Sequence, residues 1–243
     1  PVLFPFYNFD LEVFLPPIFL SSLYFLDKGD HLKSYLMFLL ALMVNEFVPF
    51  IAMAASVYVI VSKREEIVSS LKDRELDTSL VFSVLLLITA LVWYKAAGST
   101  ITAFNPTALE TKWEWGELGS SPFEIIRTTI FKPWIALKLV SMGWEQKLFY
   151  LILLFSPVAF LSLLEPSPLL MTLPWFLATM ISINPNYYYI EAQYPSFVSA
   201  FIFYSAIKGF KKIRGMYPKI NIPLILVVIN ILTIVVAAPQ VTH

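Results

Sequence analysis

The chain has 243 residues, 58% of them hydrophobic and 16% aromatic, with 14% charged and no net charge. Soluble domains carry about 25% charged residues, so this balance and a mean hydropathy of +0.73 point to an all-α, polytopic membrane protein. Zero net charge argues against a nucleic-acid partner. The absence of cysteine excludes disulfides, thiolate metal sites and a cysteine nucleophile, and His31 and His243 alone do not suggest a zinc site.

Apolar runs cover Leu11–Leu26, Ser34–Val61, Thr78–Ala97, Leu148–Leu164, Leu169–Ile183, Phe197–Ile207 and Ile222–Ala238, which predicts about seven membrane segments in a single transmembrane domain over residues 1–243. The runs are continuous rather than alternating, which argues against a β-barrel. The chain opens Pro-Val-Leu-Phe, without Met or a basic leader, and reads as a piece of a longer chain.

The first run has Asn8, Asp10 and Glu12 at its outer end. On an α-helix Asp10 and Glu12 would diverge by about 200°, whereas an extended entry would let both face one cleft. Either they complement the helix dipole, or one of them binds a cation or sugar hydroxyls.

Glu46 lies in the longest run with no other charge for twelve residues before it or sixteen after it. A charge at bilayer depth costs roughly 2.5–3.5 kcal/mol on insertion scales and normally faces a protein interior or a wet cavity. One helix over residues 34–61 would be about 42 Å long, more than the ~30 Å hydrocarbon core. The run is therefore expected to break at Val44-Asn45-Glu46 into a hairpin, with Asn45 and Glu46 buried at its tip. Glu46 then either joins two half-helices as a protonated hydrogen-bond donor or serves a substrate, ion or proton.

The loop Lys63–Asp77 and the basic stretch Lys208–Lys219 are predicted to be cytoplasmic by the positive-inside rule. Residues 98–147 then form a large outer loop. Within it, Ser121-Pro122-Phe123-Glu124 is a capping box in which Glu124 is expected to bond back to the Ser121 amide. Phe123, Ile126, Ile130 and Trp134 follow at helical spacing, which predicts an amphipathic helix in the outer interface that ends near Pro133. Lys112, Arg127 and Lys132 are the outer cations able to meet a phosphate. Asn184-Pro185-Asn186-Tyr187 and Gln193 form either an interfacial turn or a sugar platform. His31 reads as a solvated loop residue. No phosphate-binding glycine loop or nucleophile elbow occurs.

Several motifs together carry a resemblance: Tyr7-Asn8-Phe9-Asp10-Leu11-Glu12, the Leu-rich hairpin with Asn45-Glu46, Leu118-Gly119-Ser120-Ser121-Pro122 before the amphipathic helix, and the tyrosine-rich loop ahead of Pro195 and Phe197. Over roughly residues 5–210 the chain resembles the polytopic membrane family labelled domain of unknown function 2079, common in archaea and bacteria. That family looks like a distant branch of the GT-C glycosyltransferases, which use polyprenyl-phosphate-linked sugars on the outer membrane face. The family's first motif reads more like Asp-Phe-His-Pro-Glu; here Asn8, Asp10 and Leu11 replace its acid, histidine and proline, and Glu12 is kept.

The resemblance implies a multi-pass protein of the cell membrane with Glu46, Asp10 and Glu12 as candidate catalytic groups and the main catalytic acid before Pro1. Asn45, Arg127, Lys112, Lys132, Asn184, Asn186, Tyr187 and Gln193 would bind substrate. The implied partners are the lipid bilayer and a polyprenyl-phosphate sugar, with a divalent cation and membrane-protein partners compatible. A transporter or channel component with a Glu46 site, and a structural subunit of a larger assembly, are the alternatives.

Overall fold

The computed structural model describes residues 10–105, 115, 117–190, 194–217 and 221–237, and among these every regular element is a helix. The α-helices are α1 Leu15–Asp27, α2 His31–Leu42, α3 Val48–Ser62, α4 Arg64–Lys72, α5 Thr78–Phe104, α6 Pro122–Phe131, α7 Pro133–Ser141, α8 Trp144–Phe155, α9 Leu173–Ile181, α10 Ser199–Met216 and α11 Ile222–Ala237. Short 3-10 turns lie between them. Proline marks starts rather than kinks. Pro16, Pro49 and Pro174 occupy the first turns of α1, α3 and α9, where the missing N–H has no partner to lose.

Helices α1 and α2 form a hairpin whose turn contains Gly29 at φ 74°. Asp30 caps α2 by accepting the Lys33 N–H at 3.1 Å. Ser22 and Ser34 meet at 2.9 Å inside the hairpin, beside the Phe19–Phe38 ring pair. The predicted break after α2 is present: residues 43–47 leave the helix and α3 begins at Val48. Helix α2 runs alongside α5, with Tyr35 Oη 2.6 Å from Thr89 Oγ1. Helix α3 returns, with Phe50 against Tyr94 near its start and Lys63 back near His31 at its end. Small buried residues, Ala52, Ala55 and Ser56 on α3 and Ser79, Ser83 and Ala90 on α5, let the two helices lie close. His31 is half-buried against Phe82, not solvated, because the α5 start covers it.

At 27 residues, α5 is the one helix among the described residues long and apolar enough, by length and composition, to cross a membrane. The apolar helices His31–Leu42, Val48–Ser62, Ser167–Ile181 and Ile222–Val235 are shorter. Seven spans remain a sequence expectation.

The run predicted at Leu148–Leu164 is helical only to Phe155. Pro157 then removes a donor, and Ala159 and Phe160 take left-handed conformations at φ 50° and 56°. The chain continues through 3-10 turns at Leu161–Leu164 and Ser167–Thr172. These irregular stretches pack on α10 and α3. Gly209 makes this possible, since a Cβ there would overlap the Leu161 carbonyl oxygen. Ser205 Oγ donates to the carbonyls of Ser162, at 2.9 Å, and Glu165.

Residue 115 and residues 117–141 dock on α9. Trp115 Nε1 donates to the Ala178 carbonyl at 3.2 Å, and Leu118, Ala136, Leu139 and Ile181 form a second small core. Ser121 caps α6 by accepting the Glu124 N–H at 3.3 Å. Glu124 bonds one residue earlier than expected, accepting from Ser120 N at 2.7 Å and Ser120 Oγ at 2.8 Å. Gly119, at φ 144°, brings the backbone against the Glu124 side chain, where a Cβ would overlap. These hydrogen bonds hold the exposed Glu124 carboxyl below the usual carboxylate range. The predicted amphipathic face is turned outward, with Phe123 74% and Trp134 63% exposed.

The helices share an ionic end, at the α1–α2 turn. There Asp27 accepts from Tyr204 Oη at 2.5 Å and lies 3.7 Å from Lys208 Nζ. Glu165 accepts from Ser167 at 3.1 Å and pairs with Lys212 at 3.4 Å.

Candidate functional site

The opposite, hairpin-tip end carries the candidate site. Asn45 Oδ1 accepts the Phe47 N–H at 2.8 Å, an Asx turn that orients the amide. Its Nδ2 donates to Glu12 Oε1 at 2.7 Å, joining positions 33 residues apart. Glu12 reaches the tip because its own 3-10 turn, Leu11–Phe14, packs on the turn Tyr194–Phe197. Both partners are half-buried. Asp10 precedes that turn and its side chain makes no capping bond, so the structure brings Glu12 to Asn45 without Asp10.

Glu46 is exposed, and no described residue hydrogen-bonds its side chain. The expectation of a Glu46 buried against other helices is corrected. Adjacent turn residues point different ways, and Asn45 takes the inward position.

An aromatic block closes over the tip. Phe47 meets Trp175 edge-on at 4.9 Å, and Trp175 stacks on Phe197 at 4.5 Å and 17°. Tyr187 and Tyr194 are parallel at 4.9 Å and 2°, each next to Trp175, at 5.7 and 5.3 Å. Trp115 completes the block against Tyr187 at 5.5 Å. Each such pair contributes about 0.5–1.5 kcal/mol beyond area burial, so the block is a rigid wall.

Asn184 shapes the late turn: its Oδ1 accepts the Asn186 N–H at 3.0 Å, and its own N–H donates to Ser182 Oγ at 3.1 Å. Asn186 is exposed. Arg127 on α6 and Lys132 at the α6–α7 junction are exposed and share no hydrogen bond or ion pair with Glu12. Lys112, Gln193 and Asn8 lie outside the described residues.

Lys147 was not legible as a buried group. It is 2% exposed, and its Nζ donates to the carbonyls of Leu139 and Met180, each at 2.8 Å, with the Tyr188 ring 5.5 Å away. The ammonium ties the C-terminal ends of α7 and α9, where the dipole favours a cation. A lysine one position before an apolar run reads as an interface residue, and no sequence signal turns it inward. Trp175 and Tyr194 were likewise hidden among other aromatics.

Among the described residues no group of three or more His, Asp or Glu side chains could cage a metal ion. The tip instead offers a carboxylate acceptor, an oriented amide and aromatic faces. These suit hydroxyl groups and the C–H faces of a ring or chain.

A family model described as "Predicted membrane protein (DUF2079)" matches residues 1–242. The chain belongs to this family. No curated protein and no solved structure matches it. As a DUF2079 membrane protein, the chain is in contact with the lipid bilayer. The exposed apolar residues Leu85, Ile88 and Val92 on α5 and Val227, Ile231 and Val235 on α11 suit that environment.

Proposed function

We propose that this chain is part of a GT-C-like glycosyltransferase, multi-pass in the cell membrane, that holds a polyprenyl-phosphate-linked sugar at the hairpin-tip end. The observation that carries the reading is the Glu12–Asn45 hydrogen bond beside the aromatic block. Glu12 keeps a second carboxylate oxygen for a sugar hydroxyl, and Tyr187 and Tyr194 supply stacking surface. The exposed face of α6 and α7 lies in the outer interface, where Arg127 and Lys132 meet the lipid phosphate. Glu46, exposed beside the tip, is the charge available to a cation or proton. The sequence resemblance supports the reaction class here, and the residues support the binding chemistry.

The whole protein in nanodiscs, titrated with polyprenyl-phosphate sugar, tests this through tryptophan fluorescence. Tight binding is expected, about tenfold weaker for Glu12→Ala or Tyr187→Ala, and equally weakened when the sugar is absent. Equal affinity for the sugar-free polyprenyl phosphate would remove the sugar site.

Orientation is tested with cysteines and an impermeant thiol reagent in intact cells. Labelling is expected at Ser99→Cys but not at Ser69→Cys or Gly215→Cys. The reverse pattern would turn the protein over.

The helix break at the tip also favours a second reading, a carrier with a discontinuous membrane helix. Solute flux in vesicles that is lost in Glu46→Gln, without sugar transfer, would establish it.

A further inference from the structure

Helix α10 reaches the ionic end, and its sequence Ser199–Met216 contains no acid but carries Lys208, Lys211, Lys212 and Arg214. Two of these cations serve the fold. Lys208 Nζ lies 3.7 Å from Asp27, while Lys212 Nζ donates to the Leu164 carbonyl at 3.1 Å and pairs with Glu165 at 3.4 Å. Lys211 and Arg214 are exposed, and neither shares a hydrogen bond or ion pair with any described residue.

Residues three and four apart share a helix face, so Phe203, Ile207, Lys211 and Arg214 form one stripe along α10. Its two halves differ in chemistry. Phe203 and Ile207 are exposed apolar side chains that suit lipid tails. At a rise of ~1.5 Å per residue, Lys211 lies about 6 Å and Arg214 about 10 Å beyond Ile207. The polar region of each leaflet is roughly 5–8 Å deep. If Ile207 meets the last of the hydrocarbon, Lys211 therefore stands among the headgroups and Arg214 at their outer edge. Two like charges one turn apart repel unless an anion lies between them. A guanidinium beside an ammonium can grip one phosphate, the guanidinium through paired N–H groups.

We propose that Lys211 and Arg214 bind the phosphate of an anionic phospholipid whose tails lie along Ile207 and Phe203. This lipid site is at the end opposite the hairpin tip and stands whether or not the tip binds a sugar.

Native mass spectrometry of the whole protein, released from nanodiscs of mixed phosphatidylcholine and phosphatidylglycerol, reads which lipids stay bound. Phosphatidylglycerol should be retained in preference to phosphatidylcholine. Lys211→Gln and Arg214→Gln should each lower that preference roughly fivefold, the contribution of one cation near an anionic lipid surface. Both side chains lack described partners, so Tm in lipid-free detergent should stay unchanged, which separates a lost lipid from a lost fold. Lys212→Gln, whose charge is closed on Glu165, should keep the preference. An unchanged preference in the double variant Lys211→Gln/Arg214→Gln would overturn the proposal. So would an equal loss in Lys212→Gln, the mark of diffuse surface charge. Displacement of the lipid by excess inorganic phosphate would overturn it too, since a free anion makes no use of Ile207 and Phe203.

Discussion

The ionic end and the hairpin-tip end use charge in opposite ways. At the ionic end the acids joining α1, α10 and the irregular backbone are closed on partners: Asp27 on Tyr204 and Lys208, and Glu165 on Ser167 and Lys212. Lys208 also lies 4.5 Å from the centre of the Tyr204 ring, and Lys212 donates to the Leu164 carbonyl at 3.1 Å. These pairs are partly exposed and each contributes under about 1 kcal/mol, but together they fix the order of α1, α10 and the backbone between them. At the tip, Glu12 has one partner, Asn45, and Glu46 has none among the described residues. Carboxylate charge at one end is closed on internal partners, and at the other it is left largely unpaired among the described residues. The contrast separates a fastening from a candidate site.

The largest effect is expected at the fastening. Gly209→Ala places a methyl group on the Leu161 carbonyl and must push α10 off the 3-10 backbone, a loss of about 3 kcal/mol at the upper end for overpacking. Thermal unfolding in detergent reads this directly, and an unchanged Tm would mean that the close approach is not native.

At the tip the effects should be graded. Asn45→Ala removes both the Asx bond and a hydrogen bond to a charged group, costing roughly 2 kcal/mol. Glu46→Gln should stay within about 0.5 kcal/mol, as expected for an exposed side chain without a partner. A Glu46 variant as unstable as Asn45→Ala would erase the distinction between the inward and outward residues of the turn.

The smallest effect concerns the cap of α6. Ser120 holds the Glu124 carboxyl below its ordinary value, so the unfolded chain binds the proton more readily. The contribution of this contact is full above the unfolded value near 4.5 and fades as pH falls through the lower folded value. Limited proteolysis between Trp115 and Pro133 should accelerate below that range, and Glu124→Gln should abolish the pH dependence. Cleavage independent of pH in the unaltered protein would show that the cap does not order the loop.

Local rules were legible in the sequence. The break at Asn45-Glu46 followed from a run too long for the bilayer core, and the Ser121 cap from its spacing to Glu124, with only the Glu124 partner displaced to Ser120. The end of α8 was less legible, because Leu148–Leu164 is apolar throughout and only Pro157 hinted that the helix stops. The left-handed Ala159 and Phe160 need support from α10 packed against the turns that follow, which composition does not display.

The sequence by itself determined the membrane class, the helical content, the hairpin break and the capped helix α6. Each rests on hydrophobicity or on contacts within a few residues. Tertiary structure decided which tip residue faces inward, that Glu12 rather than Asp10 meets Asn45, that Lys147 is buried under Tyr188, and that Trp175 is central to the aromatic block. Those outcomes depend on helices far apart in sequence arriving side by side. Hydrogen-bond direction and burial at such positions are set by the neighbouring helix, not by the residues on either side in the chain.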